Sequence, residues 1–120
     1  MAKLLVTDDS DFMRELINDI VAEKGHEVVM AQSGEEMLEK YEDVQPDVVI
    51  LDVIMGGING LESMEELKKR HPEAKVIICS AVANQPKMIQ NAITKGADSV
   101  ISKPFSVDQI LKAIDSCLEA

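Results

Sequence analysis

Apolar residues in this chain fall into two alternating textures. Short runs rich in Val, Ile and Leu occupy Lys3–Thr7, Glu27–Ala31, Asp47–Leu51, Lys75–Ser80 and Ser99–Ser102. Runs of this length and composition predict β-strands. Between them, apolar residues recur at spacings of three and four, which predicts amphipathic helices. The first carries Phe12, Leu16, Ile17, Ile20 and Val21, with Ser10 or Asp11 as its cap and Gly25 as its stop. Ser33 opens a second helix, with Glu36 completing a capping box, and the helix ends before Pro46. Asn59 or Gly60 opens a third, stopped by His71-Pro72. Pro86 sits near the start of a fourth, which ends at Gly96 with Lys95 in its last turn. Ser106 caps a fifth, whose apolar residues are Val107, Ile110, Leu111, Ile114 and Leu118.

Five strands alternating with five helices is a (βα)5 pattern of the α/β class. The runs Val48–Leu51 and Val76–Cys79 are apolar throughout, as expected when helices cover both faces of a parallel sheet. Right-handed crossovers then give an open, doubly wound sheet of five strands. A chain of 120 residues supports one core, so residues 1–120 read as a single domain.

Three polar signals stand where three of the apolar runs end. Leu4–Thr7 leads into Asp8-Asp9, Val48–Leu51 into Asp52, and Val100–Ser102 into Lys103-Pro104. Doubly wound sheets bind ligands at the carboxyl ends of their strands, where these side chains would converge. Each signal alone has a plainer structural reading. Asp8-Asp9, with Asp11 following, suits the acidic first turn of a helix. Asp52 could make an Asx turn into the Gly56-Gly57 loop, Lys103 could be solvated, and Ser80 could be a turn residue. Together they favour a cation, because clustered carboxylates repel one another. Mg²⁺ suits the set: it takes oxygen ligands octahedrally, so two or three carboxylates, one loop carbonyl and waters would satisfy it. A cis bond at Lys103-Pro104 would turn the ammonium back into the site. Ser80 could donate a hydrogen bond to an anion beside Asp52. No Gly-rich phosphate loop follows the first strand, which disfavours a flavin or nucleotide site.

Charge narrows the partners. With 22 acids against 12 bases the net charge is −10. Phe12, Tyr41 and Phe105 are the only aromatics, so neither a basic patch nor a stacking platform for nucleic acid is present. No apolar stretch approaches the roughly 20 residues that span a membrane. Met1-Ala2-Lys3 leads directly into the first strand without a signal peptide, so a cytoplasmic protein is expected. Cys79 and Cys117 read as reduced, buried or half-buried thiols, and His26 and His71 as solvated surface residues.

The segments Val6-Thr7-Asp8-Asp9-Ser10, Leu51-Asp52-Val53-Ile54-Met55, Asn59-Gly60-Leu61-Glu62, Cys79-Ser80-Ala81 and Lys103-Pro104-Phe105 occur in this order. They resemble the receiver domain of two-component response regulators, from Lys3 to about Leu118. Asp11-Phe12-Met13-Arg14 and Cys79-Ser80-Ala81 resemble in particular the stand-alone chemotaxis type, the CheY-like receivers. The resemblance implies a flavodoxin-like strand order 2-1-3-4-5. It implies that Asp52 is a phosphoacceptor fed by a sensor histidine kinase. Asp8, Asp9, Asp52 and the Ile54 carbonyl would hold Mg²⁺, with Mn²⁺ as a substitute, and Lys103 would pair with the phosphoryl oxygens. Ser80 would reorient and draw Ala81 inward. The readout surface would be the fourth helix, fifth strand and fifth helix, roughly Pro86–Leu118, with Ser80, Ala81, Val100 and Pro104 as switch and readout positions.

The implied partners are that kinase, a downstream protein target of chemotaxis type and a phosphatase, met by a monomer. The implied activity is self-catalysed phosphotransfer with slow autodephosphorylation, not conventional turnover. Slowness follows from Ile54 and Val82, which are apolar where the family flanks the attacking water. Gly56-Gly57 stands where the family has a proline, and Val100 where it has an aromatic switch residue. The alternative is a receiver-like interaction module that works without phosphorylation. An aspartyl phosphatase is disfavoured, because its two acids would be spaced two residues apart, not adjacent.

Overall fold

In the computed structural model, which describes residues 2–53 and 59–119, the strands form one parallel sheet in the order β2-β1-β3-β4-β5. The elements in chain order are β1 (Lys3–Thr7), α1 (Asp11–Ala22), β2 (Glu27–Ala31), α2 (Gly34–Val44), β3 (Val48–Leu51), α3 (Gly60–Arg70), β4 (Val76–Ser80), α4 (Pro86–Thr94), β5 (Ser99–Ser102) and α5 (Val107–Glu119). This is the order implied by the resemblance. β3 and β4 begin one residue later than the apolar pattern suggested. Asp47 is engaged from outside the strand: its carboxylate accepts the Lys3 N–H at 2.8 Å.

Side chains alternate across the sheet with period two, so each strand feeds two cores. Leu4, Val6, Val48, Ile50, Ile77, Cys79 and Ile101 pack with Ile17, Ile20 and Val21 of α1 and Ile110 and Ile114 of α5. Leu5, Val49, Leu51, Val76 and Ile78 pack on the other face with Met37 and Tyr41 of α2, Met64 and Leu67 of α3, and Met88 and Ala92 of α4. Both cysteines are buried and unpaired.

The helix starts follow the capping residues. Ser10 Oγ accepts the Met13 N–H, Asn59 Oδ1 accepts the Leu61 N–H, and Ser106 Oγ accepts the Gln109 N–H. Ser33 Oγ accepts the Glu36 N–H, but the Glu36 carboxylate reaches one residue further back, to the Gln32 N–H at 2.6 Å. Gly25 and Gly96 take positive φ, at 82° and 114°, and turn the chain out of α1 and α4.

Three expectations need correction. Phe12 and Leu16 point outward, at 72% and 36% exposure, because Met13, Ile17, Ile20 and Val21 already fill the side of α1 that faces the sheet. Val107 and Leu118, at the two ends of α5, likewise stand exposed. The histidines are half-buried and partnered. Ala2 N–H donates to His26 Nδ1 at 3.1 Å, where β1 and β2 begin side by side. His71 lies against the Tyr41 ring at 4.7 Å, with Nε2 3.1 Å from Glu42 Oε1.

Candidate functional site at the strand ends

The site is assembled by backbone pairing carried one residue past each strand. Asp8 N–H donates to Ala31 O at 3.1 Å, Asp52 N–H to Thr7 O at 3.0 Å, and Lys103 N–H to Ser80 O at 3.0 Å. Thr7 is level with Leu51, and Ser80 with Ser102. The acids that follow Thr7 and Leu51 therefore emerge side by side, and the lysine that follows Ser102 is held at the same edge. The Lys103–Pro104 peptide is cis.

Lys103 Nζ lies 2.7 Å from Asp8 Oδ2 and 3.1 Å from Asp52 Oδ2, so one ammonium bridges two carboxylates. Asp8 and Asp52 are buried, with only 3% and 7% of their surface exposed, whereas Asp9 is exposed at the mouth. Burial alone would pull the Lys103 ammonium down. The hydrogen bonds and charges of Asp8 and Asp52 outweigh it, and its pKa ends above the ordinary lysine value. Lys103 is therefore a fixed positive charge at neutral pH.

Asp8, Asp9 and Asp52 bring one carboxylate oxygen each to within 4.8 Å of one another. Three carboxylates against one ammonium leave excess negative charge in a largely dry place, and the donors are all hard oxygens. That set fits Mg²⁺ or Mn²⁺ and offers nothing to a thiophilic metal. The Ile54 carbonyl, expected as a further ligand, lies outside the described residues, as does the Gly56-Gly57 pair.

The start of α3 presses directly on the Asp52 backbone. Gly60 N–H donates to Val53 O at 3.0 Å. A Cβ at Gly60 would stand 2.3 Å from Asp52 O and 2.6 Å from Val53 Cα. Only glycine permits this approach.

Ser80 is fully buried, and its Oγ meets the Val82 N–H at 3.5 Å. Its carbonyl does more visible work, accepting both the Lys103 and the Ala83 N–H. Ala81 and Pro104 are exposed. Val100 is half-buried and lines an open groove of about 550 Å³ with Ala83, Ser102, Gln109 and Lys112, between β5 and α5. Cys79 sits one residue before Ser80. Burial pushes its thiol up to about 12; Lys103 opposes this, and Asp52 and Asp8 add to it.

One residue here escaped the sequence reading. Arg14 is buried, with 7% exposure. Its Nη1 donates to the Asp8 carbonyl at 2.5 Å, and its Nη2 pairs with the Asp11 carboxylate. The signal that marks it is helical phase: Arg14 precedes the buried Ile17 and Val21 by three and seven residues.

A family model described as the response regulator receiver domain matches residues 4–115. The chemotaxis protein CheY of Listeria monocytogenes is 45% identical over 116 residues, which cover 96% of this chain and 97% of that one. Among solved structures, the chemotaxis protein CheY4 of Vibrio cholerae superposes with a TM-score of 0.91 at 28% identity, covering 98% of this chain and 99% of that one. The response regulator TrrA of Thermotoga maritima, solved in complex with Mg²⁺–BeF, superposes with a TM-score of 0.89 at 34% identity, covering 98% of this chain and all of that one. Among the described residues no helix is long and apolar enough to cross a membrane.

Proposed function

The chain belongs to the response regulator receiver domain family and is of the CheY type, and from that premise we propose that Asp52 is its phosphoacceptor. The observation that carries the reading is the Lys103 ammonium bridging Asp8 and Asp52 at the mouth of a trio of acids. Phosphoryl transfer asks a protein for positioning and charge neutralisation more than for covalent help. Asp52 supplies the nucleophile: a carboxylate oxygen forms a bond to phosphorus while the phosphorus–nitrogen bond of a phosphohistidine on a sensor kinase breaks. The products are an acyl phosphate on Asp52 and a free imidazole on the kinase.

Lys103 is the residue that can follow the charge. It already spans Asp8 and Asp52, so a small swing brings Nζ to a phosphoryl oxygen on Asp52. Ser80 stands at the end of the adjoining strand, and among the described residues its hydroxyl holds a long contact to Val82 that rotation gives up at little cost. Turning it toward the phosphoryl group would draw in the segment that begins at Ala81. Asp8, Asp9 and Asp52 would hold Mg²⁺, as the Mg²⁺–BeF complex of the related TrrA supports. The ion would supply charge neutralisation at the transferring group. The readout would pass to the α4–β5–α5 surface, which carries Val100 and the groove beside it, and reach a chemotaxis-type protein target. A phosphatase would reset the switch.

The test is intact-mass analysis after acetyl phosphate treatment, with and without Mg²⁺, on wild type and Asp52→Asn. The expected result is a Mg²⁺-dependent gain of one phosphoryl group that Asp52→Asn abolishes. No gain in wild type would overturn the reading in favour of a phosphorylation-independent interaction module.

A further inference from the structure

Every polar atom of Asp8 is engaged. Its N–H is on Ala31 O, its Oδ1 accepts the Ser10 N–H at 3.0 Å, and its Oδ2 accepts Lys103 Nζ. Its carbonyl is the remaining atom, and Arg14 takes it. That carbonyl belongs to the peptide unit joining Asp8 to Asp9. A charge-assisted hydrogen bond to it fixes the plane of that peptide, and so the direction in which the next residue's side chain leaves the backbone. Asp9 is the exposed member of the trio, so its aim depends on its backbone more than on packing. Asp11 holds the second nitrogen of the guanidinium and so fixes its fork.

From this geometry we infer that Arg14 is a positioning residue for the cation site, holding the Asp8–Asp9 peptide so that both carboxylates face Asp52. The inference rests on the reading of Asp8, Asp9 and Asp52 as that site. It gives Arg14 a role beyond closing the first turn of α1. Among the described residues the buried guanidinium is engaged by an exposed carboxylate and one carbonyl, a costly way to cap a helix, and Ser10 already does the capping.

The sign of the effect separates positioning from plain electrostatics. Arg14 is a positive charge beside a cation site. If charge alone mattered, removing it would tighten Mg²⁺ binding. If it positions the ligands, removing it weakens binding, and outer-shell partners of metal ligands are commonly worth about 10–100-fold in affinity. The experiment is isothermal titration of Mg²⁺ into wild type, Arg14→Gln and Arg14→Lys, with circular dichroism of each. Arg14→Gln is expected to weaken Mg²⁺ binding at least about tenfold. Arg14→Lys keeps the charge but cannot fork between Asp8 and Asp11, and should weaken binding by a smaller factor.

A folded Arg14→Gln that binds Mg²⁺ as tightly as wild type, or more tightly, would overturn the inference. If Arg14→Gln fails to fold, Arg14→Lys decides, and wild-type affinity there overturns it equally. Wild type that takes up no Mg²⁺ would remove the cation site itself, a failure distinct from that of Arg14. The titration needs no phosphorylation, so it is independent of the outcome at Asp52.

Discussion

Replacing Gly60 by Ala tests whether the start of α3 sets the position of Asp52, the proposed phosphoacceptor. The added Cβ would fall 2.3 Å from the Asp52 carbonyl oxygen and 2.6 Å from Val53 Cα. Both are backbone atoms, so no side-chain rotation relieves the clash. Reaching ordinary contact demands a displacement of about 1 Å, shared between α3 and the Asp52–Val53 segment. Overpacking of this kind costs about 1–3 kcal/mol. The opposing gain from Ala over Gly in a helix is at most about 1 kcal/mol, so a net loss is expected. A reactive group misplaced by about 1 Å can lose about 100-fold in rate. Urea unfolding should therefore show a loss of up to about 3 kcal/mol, and labelling by acetyl phosphate at saturating Mg²⁺ should slow by about 10–100-fold. A Gly60→Ala protein with wild-type stability and a wild-type labelling rate would refute the reasoning. A loss of stability with an unchanged rate would show that α3 alone absorbs the shift and that Asp52 is positioned by its strand.

Lys103→Met leaves Asp8 and Asp52 facing each other without their shared ammonium, and unfolding without Mg²⁺ should reveal a loss of about 3 kcal/mol. Added Mg²⁺ should close most of that gap, because it replaces the missing charge; a gap indifferent to Mg²⁺ would count against a cation site. Cys79 should resist iodoacetamide in the native state at pH 8, where a thiol of pKa about 12 is ionised only to about one part in ten thousand, and should react at once in urea. The same shift has a sign in stability. The fold favours the neutral thiol, so its contribution is complete below the unfolded value of 9.0 and drains away as pH rises toward about 12. The alkaline loss of stability measured by denaturation should therefore be smaller in Cys79→Ala than in wild type. Val82→Gln places an amide where wild type has an apolar side chain, and should shorten the lifetime of the phosphoryl group about tenfold; equal decay rates by time-resolved mass analysis would exclude Val82 from controlling hydrolysis.

Strand positions were readable because a sheet covered on both faces needs unbroken apolar runs, and Val48–Leu51 and Val76–Cys79 admit little else. Asp8, Asp9, Asp52 and Lys103 were readable for a related reason: charges directly beyond such runs must gather at one edge. The outward side of α1 was not readable from composition. Phe12 and Leu16 have helical spacing from each other, but their phase differs from that of Met13, Ile17 and Ile20, and hydrophobicity alone does not rank two competing stripes. Arg14 was hidden by the opposite prejudice, since arginine on a short helix is normally solvated. Its burial depends on a carbonyl at the end of β1, a partner that no side-chain pattern displays. The partners of His26 and His71 were hidden in the same way, because each comes from a segment distant in sequence.

The sheet also acts as a partition. Residues adjacent in sequence, such as Leu4 and Leu5 or Ile77 and Ile78, answer to different packing problems on its two faces. Val21 on α1 and Leu67 on α3 share no core. Truncations at these two sites should therefore combine additively, to within about 0.5 kcal/mol. Drift or redesign can then rework one chamber while the other stays constant, and neither has to be solved again for the strand ends to keep their alignment. The α4–β5–α5 surface straddles this partition, with α4 packed in one chamber and α5 in the other, so each half of it can diversify without repacking the opposite side.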